Sequence, residues 1–336
     1  MSGPALVTGA AGFIGSHVAA ALADAGLEVE GCDAFGGAGT LGRLQRDRVA
    51  RLLAPRAIRC EEVDLADAEA VEALFAGGRF ARVVHLAARA GVRDSAVVPE
   101  AFVRSNLVAF GNVIDACRRH GVEHLVYASS SSVYGAREPV PFREDDRADA
   151  PTSLYAATKR ANELMAHSYA HLFGLPCTGL RFFTVYGPWG RPDMAYFDFA
   201  QRLRRGEPIM VYGRGEARRD FTYVDDVAEA VVRVATRPCA ALGEPAPHVL
   251  FNVGHNEPVE VNDFVRLLER AVGRDAIVRY VPQHRADVPV TCADPARLRA
   301  YTGFAPSTPL GEGLVRFAQW LEAWDPLPLE EAQPAP

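Results

Sequence analysis

Two side chains able to move a proton, Tyr155 and Lys159, stand four residues apart. On a helix this spacing puts a phenol and an ammonium group on one face, one turn from each other. Because a neighbouring cation favours the phenolate, Lys159 is expected to pull the pKa of Tyr155 from about 10 toward neutrality. Such a phenolate could take a proton from a sugar or alcohol hydroxyl. The same spacing also fits a helix on which the tyrosine only packs, so the rest of the chain must decide.

A glycine-rich turn near the start of the chain offers a partner for this chemistry. Gly9, Gly12 and Gly15 lie between the first predicted strand and the helix that follows it. Glycines there let the backbone approach a pyrophosphate, and the start of the helix offers unpaired N–H groups. Asp33 ends the next predicted strand, where a carboxylate accepts hydrogen bonds from an adenosine ribose and would repel a 2′-phosphate. The pattern predicts a dinucleotide site that prefers NAD to NADP.

Four consecutive serines, residues 129–132, follow the fifth predicted strand. Ligands bind at the carboxyl end of a parallel sheet, although serine is also common in ordinary polar turns. A hydroxyl group in this run could share a proton with Tyr155 and with a sugar. Thr152 and Ser153 are candidate N-caps for the helix that carries Tyr155.

Strands and helices alternate along the first half of the chain. The predicted strands occupy residues 3–8, 28–32, 58–63, 82–86, 124–128 and 177–183, and a seventh occupies 249–253. The main predicted helices occupy residues 13–25, 67–76, 99–119, 225–236, 257–273 and 310–324. This alternation predicts an α/β fold with a doubly wound parallel sheet (Rossmann) and a smaller, discontinuous substrate lobe. The predicted boundaries are 1–183 plus 222–256 for the NAD-binding domain, 184–221 plus 257–325 for the lobe, and 326–336 for a tail.

Composition narrows the class of protein. The chain has 336 residues, 49% of them apolar, and a formal net charge of −6, which allows a sizeable core. The charge is mild and unclustered, and no apolar run reaches the ~18 residues of a membrane span. Nucleic acid and membrane partners are therefore not expected. The six cysteines are scattered without a C-x-x-C pair, which predicts free thiols in a reducing cytoplasm and no metal site.

Together these motifs resemble the extended short-chain dehydrogenase/reductase family, also called the NAD-dependent epimerase/dehydratase family. The glycine spacing of residues 9–15 and the Tyr155-x-x-x-Lys159 pair carry the resemblance, which covers residues 4–324. It implies NAD as the cofactor and Tyr155, Lys159 and Ser130 as catalytic residues, with His85 a structural residue at a strand end. The implied cofactor-binding residues are Gly9, Gly12, Phe13, Ile14, Gly15, Asp33, Asp64, Leu65, Leu86, Ala87, Ala88, Asn106, Tyr155, Lys159 and Phe182.

Ser131 and Ser132 distinguish between the reactions of this family. Its sugar-nucleotide dehydratases carry Asp-Glu at these two positions, and the related decarboxylases keep the Glu. Without a carboxyl group there, elimination of water loses its proton carriers. The resemblance therefore favours an epimerase, which only oxidises one carbon and reduces it again.

The stretch from Arg181 to Ala195 resembles the UDP-glucuronate 4-epimerases, whereas UDP-galactose 4-epimerases carry Asn where this chain has Thr184. It implies 4-epimerisation of a UDP-sugar, UDP-glucuronate, through a 4-keto intermediate. The implied substrate-binding residues are Ser130, Ser131, Ser132, Thr184, Arg191, Val211, Tyr212, Arg219 and Asp287. The alternatives are a UDP-glucose/UDP-galactose 4-epimerase, a UDP-glucuronate decarboxylase, and a non-catalytic NAD-binding sensor or scaffold of the same fold.

The resemblance also bears on assembly. Helices 101–119 and 153–173 resemble the pair through which relatives form a two-fold dimer, which implies a homodimer. Three places depart from the family. Ala34 stands where relatives have an Asn after the ribose-binding Asp, which implies the loss of one adenosine contact. Residues 35–50 are rich in Gly and Arg where relatives are more aromatic, and Arg285 stands one position nearer Asp287 than in UDP-galactose epimerases. The roles of residues 35–50 and of Arg285 are left open by the sequence.

Overall fold

The computed structural model of the chain describes residues 3–137, 139–237, 248–283 and 287–325. The predicted tail, Cys239 and Arg285 lie outside the described residues. The strands in this part of the chain are β1 (Ala5–Thr8), β2 (Val29–Asp33), β3 (Cys60–Glu62), β4 (Arg82–His85), β5 (His124–Ser130), β6 (Cys177–Phe182), β7 (Thr184–Tyr186), β8 (Ile209–Tyr212), β9 (Arg218–Tyr223), β10 (His248–Val253), β11 (Pro258–Glu260) and β12 (Val278–Val281).

The α-helices of the same residues are α1 (Phe13–Asp24), α2 (Gly39–Arg48), α3 (Ala68–Gly78), α4 (Asp94–Val97), α5 (Pro99–Val103), α6 (Ala109–Arg119), α7 (Leu154–Phe173), α8 (Ala195–Arg205), α9 (Val224–Ala235), α10 (Val261–Val272), α11 (Ala296–Thr302) and α12 (Leu310–Trp324). Two turns of π-helix, Val49–Leu53 and Arg104–Val108, continue α2 and join α5 to α6. Short 3₁₀ turns occupy Ala54–Arg56 and Ser131–Tyr134.

Seven strands form the main sheet in the order β10-β6-β5-β4-β1-β2-β3, and every neighbouring pair is parallel. The strand order reverses between β1 and β4. In open α/β sheets, ligands bind beyond the carboxyl ends of the strands at such a reversal. The predicted doubly wound Rossmann fold is confirmed, and the segment predicted to return as a strand forms its edge, β10.

Successive residues of each central strand lie on opposite faces of the sheet. Val7 and Val84 belong to the apolar cluster packed under α1 and α9, whereas Leu6 and Val83 belong to the cluster under α3 and α6. All four side chains are fully buried. Burial on both faces explains why these strands read as continuous apolar runs, as in other parallel sheets covered by helices.

The smaller lobe is built on two short sheets, ordered β11-β9-β7 and β12-β8. Its core is aromatic, with buried Tyr186, Phe197, Phe221 and Phe317 in one cluster. Only Phe183 separates β6 of the main sheet from β7 of the lobe. The chain therefore passes directly from one sheet to the other at the carboxyl edge where ligands bind. The domain boundaries given above stay a prediction.

The long helix predicted at 99–119 is interrupted in the structure. Its middle turn, Arg104–Val108, is π-helical, and α4 precedes it as a separate short helix. A π turn inserts one residue into the helical repeat, and such turns are common at functional sites. Here the inserted turn carries Asn106, which is 2% exposed. The sequence pattern gave no signal for this interruption.

Three further observations concern the described residues. Every helix among them is too short or too polar to cross a membrane. Their side chains form no group of three or more potential metal ligands. The cysteines in this part of the chain are all free thiols, as the sequence predicts; they are Cys32, Cys60, Cys117, Cys177 and Cys292.

Candidate active site

Helix α7 carries Tyr155 and Lys159, and Ser153 fixes where it starts. The Ser153 hydroxyl accepts a hydrogen bond from the Ala156 N–H at 3.1 Å, so Ser153, and not Thr152, is the N-cap. The helix ends at Gly174, which adopts the left-handed conformation that favours glycine. Tyr155 therefore sits in the first turn of a long helix, at the end nearest the carboxyl edge of the sheet.

Lys159 joins that helix to the end of β5. It is 3% exposed, and its Nζ donates to the carbonyl oxygen of Ala128 at 3.0 Å, two residues before Ser130. Burial lowers the pKa of Lys159 to about 8. Burial, together with the charge of Lys159, lowers the pKa of His85 to about 3. The Nδ1 atom of His85 lies 2.9 Å from the Thr8 hydroxyl, a buried contact at the end of two strands.

The environment of Tyr155 differs from the sequence prediction. Burial raises the pKa of its phenol above the usual value, and two influences oppose the rise, a hydrogen bond with Ser130 and the charge of Arg191. The prediction assigned the lowering to Lys159, whose ammonium group instead binds the Ala128 carbonyl. Ser130 and Arg191 are therefore the groups that favour the phenolate.

The buried charge of Lys159 gives a testable pH dependence. An unfolded lysine loses its proton near pH 10.4, so between about pH 8 and 10 the unfolded chain binds a proton that the folded chain does not. Stability therefore rises with pH across this window. In NAD-free protein, the free energy of unfolding in urea should rise by up to about 1 kcal/mol per pH unit more in the wild type than in Lys159→Met. Equal pH slopes for the two proteins would contradict the assignment.

Asn106 joins α7 to the loop after β4. Its Nδ2 donates to Thr158 Oγ1 at 3.0 Å and to the Arg89 carbonyl at 3.0 Å, and its Oδ1 accepts from the Arg89 N–H at 2.8 Å. The Asn106 carbonyl accepts from Asn162 Nδ2 at 2.8 Å. The side chain predicted to bind the cofactor is thus engaged by the protein itself. Sequence reasoning missed Thr158 and Asn162, although both stand on α7 beside the Tyr–Lys pair.

A buried ion pair lies beneath the serine turn. Arg181 of β6 binds Glu163 of α7 through two hydrogen bonds of 2.8 and 2.9 Å, and each side chain is 1% exposed. The Ser129 hydroxyl donates to the same carboxylate at 2.6 Å. Burial alone would raise the pKa of Glu163, but Arg181 outweighs it and holds the pKa below the usual range. The pair ties α7, β5 and β6 together next to Ser130.

The glycine turn fits the pyrophosphate of a dinucleotide. A Cβ atom at Gly9 would lie 2.8 Å from the Ala87 backbone, and one at Gly15 would lie 2.0 Å from the Gly9 carbonyl oxygen. Gly9 also adopts a φ of 69°. Gly12 precedes α1 and has no side chain to cap it, so the first N–H groups of the helix, from Phe13 onward, are available to an anion.

Asp33 ties this turn to the second strand. Its carboxylate accepts from the Ala11 N–H at 3.1 Å, from the Phe35 N–H at 3.0 Å and from Gln45 Nε2 at 3.3 Å. Burial raises the pKa of Asp33, while the bonds from the Phe35 and Ala11 N–H groups and the charge of Arg48 oppose the rise. A carboxylate offers about four acceptor positions. The three bonds leave the carboxylate able to accept one more from a ribose hydroxyl, which fits NAD.

The other predicted cofactor residues line the same edge of the sheet. Leu86 and Ala87 directly follow β4, and their N–H groups donate to the carbonyl and the hydroxyl of Thr8 of β1, each at 3.2 Å. Asp64 follows β3 and pairs with Arg104 at 2.5 Å; its pKa is lowered, first by the Ala66 N–H and also by Arg104. The remaining predicted positions occupy matching places, with Ile14 in the first turn of α1, Leu65 after Asp64, Ala88 after Ala87, and Phe182 at the end of β6.

Two adjacent strands bring the predicted sugar-binding hydroxyls to one edge. Ser130 of β5 stands opposite Phe182 of β6 in the parallel register. Ser131 and Ser132 follow in the 3₁₀ turn, and Thr184 begins β7 two residues after Phe182. All three hydroxyl residues are partly exposed. Ser131 and Ser132 thus directly follow Ser130, Thr184 continues from its partner strand, and none of these positions carries a carboxylate.

Arg191 reaches the site from the loop between β7 and α8. It donates to the Ala90 carbonyl at 3.2 Å and binds the Asp193 carboxylate. Burial would lower the pKa of Arg191, but Asp193 and the nearby Tyr155 and Tyr196 raise it, so it stays cationic. The residue predicted to help close the sugar site is thus a fixed positive charge near the phenol of Tyr155.

The residues predicted for the nucleotide end meet around Arg93, which the sequence analysis missed. The Arg93 guanidinium lies 3.9 Å from the ring centroid of Tyr212 and donates to Asp287 at 2.9 Å. Burial lowers the pKa of Arg219, Asp287 opposes this and Arg93 adds to it, so the three charges lie close together. The side chain of Val211 is 1% exposed and packs in the lobe core, which leaves only its backbone for a ligand.

Comparison with known proteins identifies the family. The NAD dependent epimerase/dehydratase family matches residues 5–254. A probable UDP-glucuronate 4-epimerase of Rhizobium meliloti (strain 1021) is 44% identical over 94% of this chain and 96% of that protein. UDP-glucuronate 4-epimerase 1 of Arabidopsis thaliana is also 44% identical, over 94% of this chain and 76% of that protein.

Solved structures agree with the sequence comparison. The crystal structure of UDP-glucuronic acid 4-epimerase from Bacillus cereus, in complex with UDP-glucuronic acid and NAD, matches with a TM-score of 0.87 and 30% identity. The match covers 96% of this chain and 99% of that one. The fold, the glycine turn and the helix with Tyr155 and Lys159 agree with these matches. The chain belongs to the NAD dependent epimerase/dehydratase family.

Proposed function

We propose that the protein is an NAD-dependent UDP-glucuronate 4-epimerase that interconverts UDP-glucuronate and UDP-galacturonate. The observation that carries the proposal is that hydroxyl residues, and no carboxylate, occupy positions 131 and 132 directly after Ser130, which is hydrogen-bonded to Tyr155, and position 184 at the start of β7. A dehydratase needs a carboxyl acid–base pair where this chain has Ser131 and Ser132. The relatives named above as UDP-glucuronate 4-epimerases support the choice of substrate.

The reaction begins with a proton transfer at the C4 hydroxyl of the sugar. Tyr155 takes this proton, and Ser130, which is hydrogen-bonded to the phenol, orients or relays it. The glycine turn and Asp33 would hold NAD⁺, which would supply reversible hydride transfer at C4 with zero net redox. Arg191 favours the phenolate by its charge, while Lys159 holds α7 against the end of β5.

The sugar must then turn over while its nucleotide stays fixed. Tyr212, Arg219 and Asp287 hold the UDP end, and Arg suits a phosphate because its planar fork gives charge-assisted bonds. A 4-keto uronate is a β-keto acid and loses CO₂ if its carboxylate is desolvated. Hydrogen bonds to that carboxylate stabilise its charge and oppose the loss. We assign these hydrogen bonds to Ser131, Ser132 and Thr184.

Thr184→Ala tests the assignment of the carboxylate. One hydrogen bond to a charged group contributes about 1.5–3 kcal/mol. The variant should therefore lose roughly 10- to 100-fold in kcat/KM for UDP-glucuronate and little for UDP-glucose. Thr184→Ser keeps the hydroxyl and should keep the selectivity. Arg191→Ala is a poorer test, because loss of its charge near Tyr155 weakens the base for either sugar. Equal losses for both nucleotides in Thr184→Ala would sink the assignment.

Product analysis tests the proposed function against the alternatives. The purified protein is incubated separately with UDP-glucuronate, UDP-glucose and UDP-galactose, and the products are resolved by NMR. The proposal expects UDP-galacturonate from the first nucleotide at a rate above that for the neutral sugars. A UDP-pentose would indicate a decarboxylase, and faster conversion of UDP-glucose a neutral-sugar epimerase. No product from any of them, with NAD bound, would indicate a sensor or scaffold.

We further propose a homodimer, formed through α5–α6 and α7. Large apolar side chains are exposed on these helices, among them Val108 at 44%, Leu164 at 54% and Leu172 at 68%. Burying such a surface is favourable in water. Sedimentation should give twice the mass of the chain, and Leu164→Glu with Leu172→Glu should give the monomer.

We also propose a cytoplasmic location, in keeping with a nucleotide-sugar substrate; recovery of the protein in a membrane or extracellular fraction would contradict it.

A further inference from the structure

Arg48, in the Gly- and Arg-rich segment that departs from the family, is buried between the two ligand sites. It ends α2 and is 1% exposed. Its Nη1 donates to the Ala11 carbonyl of the glycine turn at 3.0 Å. Its Nε and Nη2 donate to the carbonyls of Trp189 and Gly190, each at 2.9 Å. A single guanidinium thus joins the turn that faces the dinucleotide to the loop that carries Arg191.

The loop it holds is closely fitted. Trp189 adopts a φ of 61°, which is uncommon for a residue other than glycine. A Cβ atom at Gly190 would lie 1.9 Å from Tyr196 Oη. The preceding carbonyl, of Pro188, accepts a hydrogen bond from His17 Nε2 of α1 at 3.1 Å. Three consecutive carbonyls of this loop are therefore bound by side chains from the NAD side of the molecule.

The charge of Arg48 lacks a carboxylate partner. Within the residues that the structure describes, all its hydrogen bonds go to backbone carbonyls, and no ion pair forms with Asp or Glu. Buried charges in proteins are ordinarily paired. The carboxylate of Asp33 favours the Arg48 cation by its charge, without a direct hydrogen bond. An anion bound at the glycine turn, such as a dinucleotide pyrophosphate, would complement this unpaired cation.

We propose that Arg48 is a positioning residue that couples NAD binding to the assembly of the sugar site. Occupancy of the glycine turn fixes Ala11, Ala11 fixes Arg48, and Arg48 holds the Trp189 and Gly190 carbonyls so that Arg191 faces Tyr155. Coupling of this kind passes through discrete packed contacts that both ligands bias. The inference rests on the proposed function for the identity of the second ligand, a UDP-uronate.

The test measures binding in a background that cannot turn over. Calorimetry gives the affinity of Tyr155→Phe protein for UDP-glucuronate with NAD present and after NAD has been removed. We expect NAD to tighten UDP-glucuronate binding by about tenfold, a typical coupling, and the addition of Arg48→Met to reduce that ratio to about one. Arg48→Met should also shed NAD faster on dialysis. Arg46→Met, an exposed arginine of the same helix, should leave both quantities unchanged.

The possible results distinguish a failure of the Arg48 inference from a failure of the proposed function. An unchanged NAD effect on UDP-glucuronate affinity in folded Arg48→Met protein would overturn the inference. Arg48→Lys keeps the charge but reaches fewer of the three carbonyls, and should give an intermediate ratio even if Arg48→Met fails to fold. Failure of the Tyr155→Phe protein to bind UDP-glucuronate at all would count against the proposed function instead. NAD retention would then still test Arg48, because loss equal to that of Arg46→Met would overturn its role.

Discussion

Tyr155→Phe should lower turnover of UDP-glucuronate by about 10²- to 10⁴-fold while NAD stays bound, because a positioned general base contributes that much. The change removes one oxygen atom and leaves the ring, which packs edge-on against Phe102 at 6.3 Å between centroids. Helix α7 keeps its Ser153 cap. The loss should therefore appear in kcat, measured by product formation, and not in the melting temperature or in the NAD released on denaturation.

Tyr169→Phe is the matched control for this prediction. It makes the same chemical change on the same helix, near Phe173 and away from the sugar edge, and should leave kcat unchanged. If Tyr155→Phe kept more than about a tenth of wild-type turnover, Tyr155 would not be the base. A non-catalytic NAD-binding sensor would show no turnover in any of the three proteins, and the comparison would then exclude the enzyme.

Arg181→Met should cost about 3–5 kcal/mol of folding free energy, the usual effect of removing one partner of a buried ion pair. Glu163 would be left 1% exposed, with Ser129 and the partly exposed Arg160 as its remaining hydrogen-bond partners in the part of the chain that the structure describes. Because total stabilities are about 5–15 kcal/mol, the effect should be plain in urea unfolding. Because the pair ties α7, β5 and β6 together next to Ser130, kcat should fall as well, even for the protein that stays folded.

Two further variants serve as controls for the Arg181→Met prediction. Arg266→Met removes an exposed partner of Asp263 and should cost at most about 1 kcal/mol. The double variant Arg181→Met/Glu163→Gln removes both charges and should cost clearly less than the sum of the two single changes. Additive losses, or a loss in Arg181→Met no larger than in Arg266→Met, would show that the pair does not support the site.

Local patterns were enough to predict the frame of the molecule. The glycine turn, Asp33 at the end of β2, and the Tyr155–Lys159 spacing each depend on residues close in sequence, and alternating elements imply the parallel sheet. The seventh strand and the return of α9 to the sheet were also predicted from local apolar runs.

Contacts between distant residues could not be predicted in the same way. Arg48 and Trp189 are 141 positions apart, and Arg93 and Asp287 are 194 apart, so no local spacing announces either contact. The pKa of Tyr155 depends on how deeply the folded chain buries the phenol, which the Lys159 spacing does not report. The role of Asn106 likewise depends on the π turn at Arg104–Val108, which local sequence patterns do not predict.

The measurement that tests the account most directly follows the C4 hydrogen of UDP-glucuronate. The purified protein, with no NAD added, is incubated with UDP-glucuronate in D₂O, and the product is examined by NMR. If Tyr155 moves only the hydroxyl proton and the C4 hydrogen returns to the same carbon, UDP-galacturonate should form with no deuterium at C4. Deuterium at C4, or a UDP-pentose formed with loss of CO₂, would contradict transient oxidation and re-reduction at a protected carboxylate.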